Sequence, residues 1–193
     1  MYQRREISPE ELAVQRGFCE KIKKAIEGEN RTAFVDTYGC QQNESDSEIL
    51  RGWLRDCGFA LTDDDKTADL IAVNTCAVRA HAEMRVLGNV GALVHAKNKN
   101  PRLIVCVGGC MPQQSVMRDK IKESFRMVDM VFGPHEVWKF PELLYQTMQR
   151  HGLRGNKGRL IMAEPCDGVI AEGLPRVRDG KLKAWLSIMK RRI

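Results

Sequence analysis

Three cysteines are the residues of this chain best suited to do chemistry: Cys40 in TYGCQQN, Cys76 in NTCAVR and Cys110 in GGCMPQ. They are separated by 36 and 34 residues, and each follows a strand-like run and precedes a helix-like one. Thiolates are soft donors, so three of them gathered at one place suit a thiophilic ion or cluster. Structural zinc normally takes four protein ligands, and neither paired C-x-x-C ribbons nor cysteine–histidine finger spacing occurs in the chain. A 4Fe-4S cluster held by three cysteines would instead leave one iron open to a substrate or a sulfur donor. Spacing by itself leaves two readings standing: a shared metal site, or cysteines scattered through a core.

The remaining candidates read more plainly. Cys106 falls inside an apolar strand pattern, while Cys57 and Cys19 sit on apolar helix faces, so all three read as packing residues. Cys166 lies in a glycine- and proline-containing stretch and reads as an exposed thiol. His81 and His95 fall on a helix surface, and His135 and His151 in loops; none has metal or catalytic spacing to a cysteine, so solvated roles are expected. Asn43 and Arg79 adjoin the cysteines and suit either a substrate contact or a cap and a surface ion pair.

Convergence of three distant thiols requires a scaffold, and the chain supplies its pattern. Ser8, Pro9 and Glu11 form a capping-box signature for a helix that Gly28 ends. Strands are then expected at Thr32–Thr37, Phe59–Leu61, Leu70–Val73, Leu103–Val107 and Val128–Phe132. Helices are expected at Ser45–Asp56, at about Val78–Asn98, from near Pro112, and at Val137–Arg150. Short apolar strands alternating with amphipathic helices imply an α/β, flavodoxin-like doubly wound parallel sheet of about five strands. Each cysteine then follows a strand on the same edge of the sheet, with neighbouring strands about 5 Å apart.

Three divisions follow: a helical extension over 1–30, the α/β domain over 31–150, and an irregular basic tail over 151–193 whose AWLSIM stretch resembles one isolated strand. The chain has 193 residues, 43% hydrophobic and 29% charged, which fits an ordinary globular protein. No apolar run approaches the roughly 20 residues of a membrane span, and the charged N-terminus lacks a signal-peptide core, so a cytoplasmic protein without a membrane partner is expected. Disulfides are rare in that compartment, which makes the seven cysteines more informative. The net charge of +6 is unevenly spread: residues 32–149 carry thirteen basic and fifteen acidic side chains, whereas residues 150–193 carry eleven and four. The central domain therefore lacks the charge of a self-sufficient nucleic-acid binder.

TYGCQQNESDSE, NTCAVRAHAE and VGGCMPQ resemble the three signature segments of the methylthiotransferase N-terminal domain, on the tRNA methylthiotransferase side of that family. The resemblance covers about Arg31 to Arg150 and implies a radical S-adenosylmethionine enzyme with two 4Fe-4S clusters. It carries Cys40, Cys76 and Cys110 over as ligands of the auxiliary cluster, which supplies or carries sulfur. The second cluster, on a C-x-x-x-C-x-x-C motif, cleaves S-adenosylmethionine, and the substrate is an isopentenylated adenosine beside a tRNA anticodon. Implied partners are tRNA, through the full-length enzyme, and a sulfur donor or iron–sulfur assembly machinery, with a monomeric protein. Gln42 stands where the family usually has methionine. KAWLSIM resembles the first strand of the family's barrel, and no C-x-x-x-C-x-x-C is present, so the chain is expected to be inactive alone. The competing expectations are a flavodoxin-like nucleotide module without iron and an RNA-interaction module using the basic tail.

Overall fold

The computed structural model describes residues 5–77, 80–151, 158–163 and 169–178, without the side chains of residues 80–85. After a short strand β1 (Arg5–Glu6), helix α1 (Pro9–Ala25) starts at the expected capping box. Glu11 N–H donates to Ser8 Oγ at 3.3 Å, and Ser8 N–H donates to Glu11 Oε2 at 3.0 Å. Then follow β2 (Thr32–Tyr38), α2 (Gln41–Asp56), β3 (Ala60–Leu61), β4 (Leu70–Thr75), α3 (Ala80–Lys99) and β5 (Ile104–Gly109). The chain continues through α4 (Ser115–Ser124), β6 (Met130–Phe132), α5 (Phe140–Arg150), β7 (Leu160–Met162) and β8 (Val169–Ile170).

Six strands form one parallel sheet in the order β3-β2-β4-β5-β6-β7. The chain runs outward from β2 to β3, then returns to the other side of β2 and continues outward the other way. That reversal is the flavodoxin-like arrangement, with its switch point between β2 and β4. The sixth strand, β7, comes from the segment expected to be irregular, and β8 pairs with β1 in a separate two-stranded ribbon. Both strands are too short to show a readable period.

Alternate residues of the strands enter two cores, as the pleat requires. Ala72, Cys106, Met130 and Phe132 pack with Leu50, Trp53 and Leu54 of α2 and Phe140 and Leu144 of α5. Ile71, Val73, Val105, Val107 and Val131 pack on the other face with Val86 and Val90 of α3 and Ile121 of α4. Cys19, Cys57 and Cys106 are buried in the first core, as their spacing implied.

The polar face of α2 is buried too, which its sequence did not announce. Pro175 to Val177 lie along it: Val177 N–H donates to Glu48 O at 2.9 Å, and Arg176 Nη1 reaches Ser45 Oγ at 3.0 Å and Glu48 Oε2 at 3.5 Å. Pro175 crosses so closely that a Cβ at Gly52 would lie 2.5 Å from its carbonyl. Part of the basic tail is therefore a strap on the domain. AWLSIM and Cys166 lie outside the described residues. No helix among the described residues is long and apolar enough to cross a membrane.

Candidate metal centre

The register of the three central strands determines where the cysteines emerge. Tyr38 pairs with Thr75, and Thr75 pairs with Gly109, so β2, β4 and β5 end on one level. Cys76 and Cys110 are the next residues in their strands' paths, and Cys40 follows Gly39 by one. All three leave the carboxyl edge of the sheet at or beside the switch point, where open α/β sheets place their ligands. The longer first interval in sequence accommodates β3, which the chain must form before returning as β4.

Two glycines let the loops approach. A Cβ at Gly39 would lie 2.6 Å from the Cβ of Cys76 and 2.3 Å from Asn43 Oδ1. Gly109 has φ of 98° and would drive a Cβ to 2.1 Å from Thr75 O, so both its conformation and its space demand glycine.

Helix α2 begins directly after Cys40, four residues earlier than its apolar stripe suggested. Asn43 is the reason: its Oδ1 accepts the Cys40 N–H at 3.2 Å and the Cys40 thiol at 3.4 Å, acting as the cap. Behind it lies a buried polar network. Asn43 Nδ2 donates to Asn74 Oδ1 at 3.1 Å and to Thr75 O at 3.0 Å. Asn74 Nδ2 donates to Asn43 O at 2.8 Å and Ser47 Oγ at 3.0 Å, and Ser47 Oγ in turn accepts from Thr37 at 2.8 Å. Thr75 Oγ1 donates to Gly108 O at 2.7 Å. Only Asn43 among these had been singled out by sequence. The signal for Asn74 and Thr75 is their position in a strand that is buried along its whole length, where a polar side chain needs a partner.

The thiols differ in exposure: Cys40 is exposed, Cys110 half-buried and Cys76 only 5% exposed. Burial first, and then the neighbouring Cys76, Asp46 and Cys40, push the Cys110 thiol up to about 11. That influence marks the three cysteines as electrostatic neighbours. Among the described residues, however, no three Cys, His, Asp or Glu side chains stand together closely enough to hold a metal ion. The backbone brings the cysteines to one rim, while the Cys40 thiol is directed to Asn43. The donor chemistry and the shared rim suit a thiophilic group that would draw the three thiols together, since a cation there would favour the Cys110 thiolate that burial opposes. The N-terminus of α2 stands directly at Cys40, whereas after Cys110 the chain makes a 3-10 turn over Met111–Gln113 before α4.

The other nucleophiles and histidines lie elsewhere. Burial holds the Cys106 thiol above the ordinary range, and a hydrogen bond with Cys19 followed by burial does the same to Cys57. His95 is exposed, but His151 is not a solvated loop residue: its Nε2 lies 3.1 Å from Lys97 Nζ and 3.8 Å from Asp129 Oδ1, in a half-buried cluster. Arg79 and the His81 side chain are outside the described residues. A groove of about 600 Å³ between β2 and α3, lined by Phe34, Asp36, Tyr38 and His95, contains none of the three cysteines.

Residues 32–133 match the model of a family described as "Uncharacterized protein family UPF0004". The chain is also 42% identical, over 183 residues, to a protein of Alkaliphilus oremlandii named tRNA-2-methylthio-N(6)-dimethylallyladenosine synthase. Proteins of the same name from Acetivibrio thermocellus and Staphylococcus aureus are 40% and 37% identical over 189 and 180 residues. These alignments cover 93–95% of the chain but only 34–38% of the relatives, so the chain spans little more than a third of their length.

Proposed function

Because the chain belongs to the uncharacterized protein family UPF0004, with its cysteine loops on the matched segment, we propose that residues 31–150 are the auxiliary 4Fe-4S domain of a tRNA-2-methylthio-N6-dimethylallyladenosine synthase. The observation that carries the reading is the common level of Tyr38, Thr75 and Gly109, which delivers three cysteines to one rim. Cys40, Cys76 and Cys110 would hold the cluster, whose chemistry when bound is to offer sulfur and one iron without a protein ligand.

The chain's own part is to bind and orient. Cys76 is buried, Cys110 half-buried and Cys40 exposed, so a substrate would meet the rim first at Cys40. The N-terminus of α2 adds a favourable field for a negatively charged group at Cys40. S-adenosylmethionine cleavage, a second cluster and tRNA binding belong, on this reading, to the whole enzyme rather than to these residues. Residues 158–163 and 175–177 complete this domain as β7 and the strap, and the stretch after them would lead to the radical-generating one, in a monomeric cytoplasmic protein.

Anaerobic loading with iron and sulfide tests the assignment. The chain is expected to show broad visible absorption and about four irons. Replacing Cys40, Cys76 or Cys110 with Ala should abolish the intact cluster, and its full retention in all three variants would sink the proposal.

A further inference from the structure

Thr75 O, the carbonyl immediately before Cys76, accepts from the segments that follow both of the other cysteine-bearing strands. Cys110 N–H donates to it at 2.9 Å, and Asn43 Nδ2 at 3.0 Å. The same Asn43 side chain accepts the Cys40 N–H through Oδ1, so one amide touches the backbone of the first cysteine loop and that of the second. Which end is oxygen follows from the partners: a backbone N–H can only donate and a backbone carbonyl only accept. Asn74 completes the arrangement. Its Oδ1 accepts from Asn43 Nδ2, and it stands against Gly109, where a Cβ would be only 2.6 Å away. Both asparagines are 1% exposed.

We propose that Asn43 and Asn74 are positioning residues for the three thiols, their interlocked amides setting the distances among the Cys40, Cys76 and Cys110 loops. Helix capping alone does not account for them. A cap needs only one acceptor for the Cys40 N–H, which any carboxylate or carboxamide side chain at that position can supply. Asn43 also spends both its donor bonds on β4, and Asn74 spends its own on Asn43 O and Ser47. Buried amides satisfied at both ends resist displacement, because moving either loop would strand a buried donor or acceptor. The pair therefore supports the ligands from behind, as outer partners orient the ligands of a metal site.

The inference rests on the reading of the three cysteines as ligands, and the experiment separates the two. The full chain is loaded anaerobically with ferrous iron and sulfide, beside Asn43→Asp, Asn43→Ala and Asn74→Ala. Asn43→Asp keeps the acceptor for the Cys40 N–H and replaces the donor facing Thr75 O by an oxygen, so it retains the cap and loses the tether. The iron-free variants should keep the far-ultraviolet circular dichroism of the wild type. Once loaded, they should lose iron to a chelator about tenfold or more faster, Asn43→Ala fastest, with shifted resonance lines in the reduced-state paramagnetic spectrum. Chelation rates and spectra matching the wild type would overturn the positioning role while leaving the ligands in place. A wild-type chain that takes up no cluster would overturn both readings together. If the alanine variants fail to fold, the nearly isosteric Asn43→Asp decides the question.

Discussion

Six described cysteines divide into two sets of three, and the same side chain does opposite work in each. Cys19, Cys57 and Cys106 face inward from α1, the end of α2 and the middle of β5, packed among aliphatic side chains. Cys40, Cys76 and Cys110 stand one or two residues past the last paired row of their strands. Cys106 and Cys110 are four residues apart on one stretch of chain, yet one is core and the other rim. A thiol inside the sheet is a small hydrophobe; a thiol just beyond its carboxyl edge can share a ligand with its neighbours.

The sharpest break of this contrast is a serine at each kind of site. Cys40→Ser, at the exposed member of the rim, should remove the loaded cluster and leave the iron-free thermal midpoint nearly unchanged. Cys106→Ser should do the reverse, keeping iron content while burying a hydroxyl at a cost of about 1–3 kcal/mol, read as a lower midpoint in urea.

A larger stability loss should come from the backbone that spaces the rim. Gly109→Ala forces a side chain into positive φ and against Thr75 O, for about 3 kcal/mol in denaturant titration, with impaired cluster loading. That variant tests whether rim and core are separable at all, because it injures both.

The pH dependence of stability should be carried mainly by the core set, with the Cys110 thiol of the rim, raised to about 11, adding to it. Cys57 and Cys106 have thiols raised in the folded chain, so the folded state holds protons that the unfolded state releases above about pH 8.5. Stability should therefore be full below that pH and fall above it, by at most about 1.4 kcal/mol per pH unit for each thiol. Thermal melts of the iron-free chain from pH 7 to 10 check this, and the fall should be shallower in Cys106→Ala.

The smallest effect is expected farthest from either set. Ser8→Ala should cost about 1 kcal/mol through the lost cap of α1 and leave iron uptake unaltered.

Much of the fold was readable from local pattern. The capping box at Ser8, the apolar strands and the stripe on α2 each reflect neighbours in sequence. What escaped reading was settled by contacts between distant segments. The early start of α2 depends on Asn43, whose partners lie on β4, and the burial of Ser45 and Glu48 depends on a strap more than 120 residues away. Strand β7 joins the sheet because β6 offers an edge to pair with, and three residues carry no period of their own.

Residue type and spacing alone determined that three cysteines sit at strand ends, because a strand's apolar run and the helix after it are written locally. Only the tertiary structure decided that those ends share one level, that two glycines let the loops touch, and that two buried asparagines join them. Register, close approach and hydrogen-bond partnership are relations between segments dozens of residues apart, and no window of sequence contains both members of such a pair.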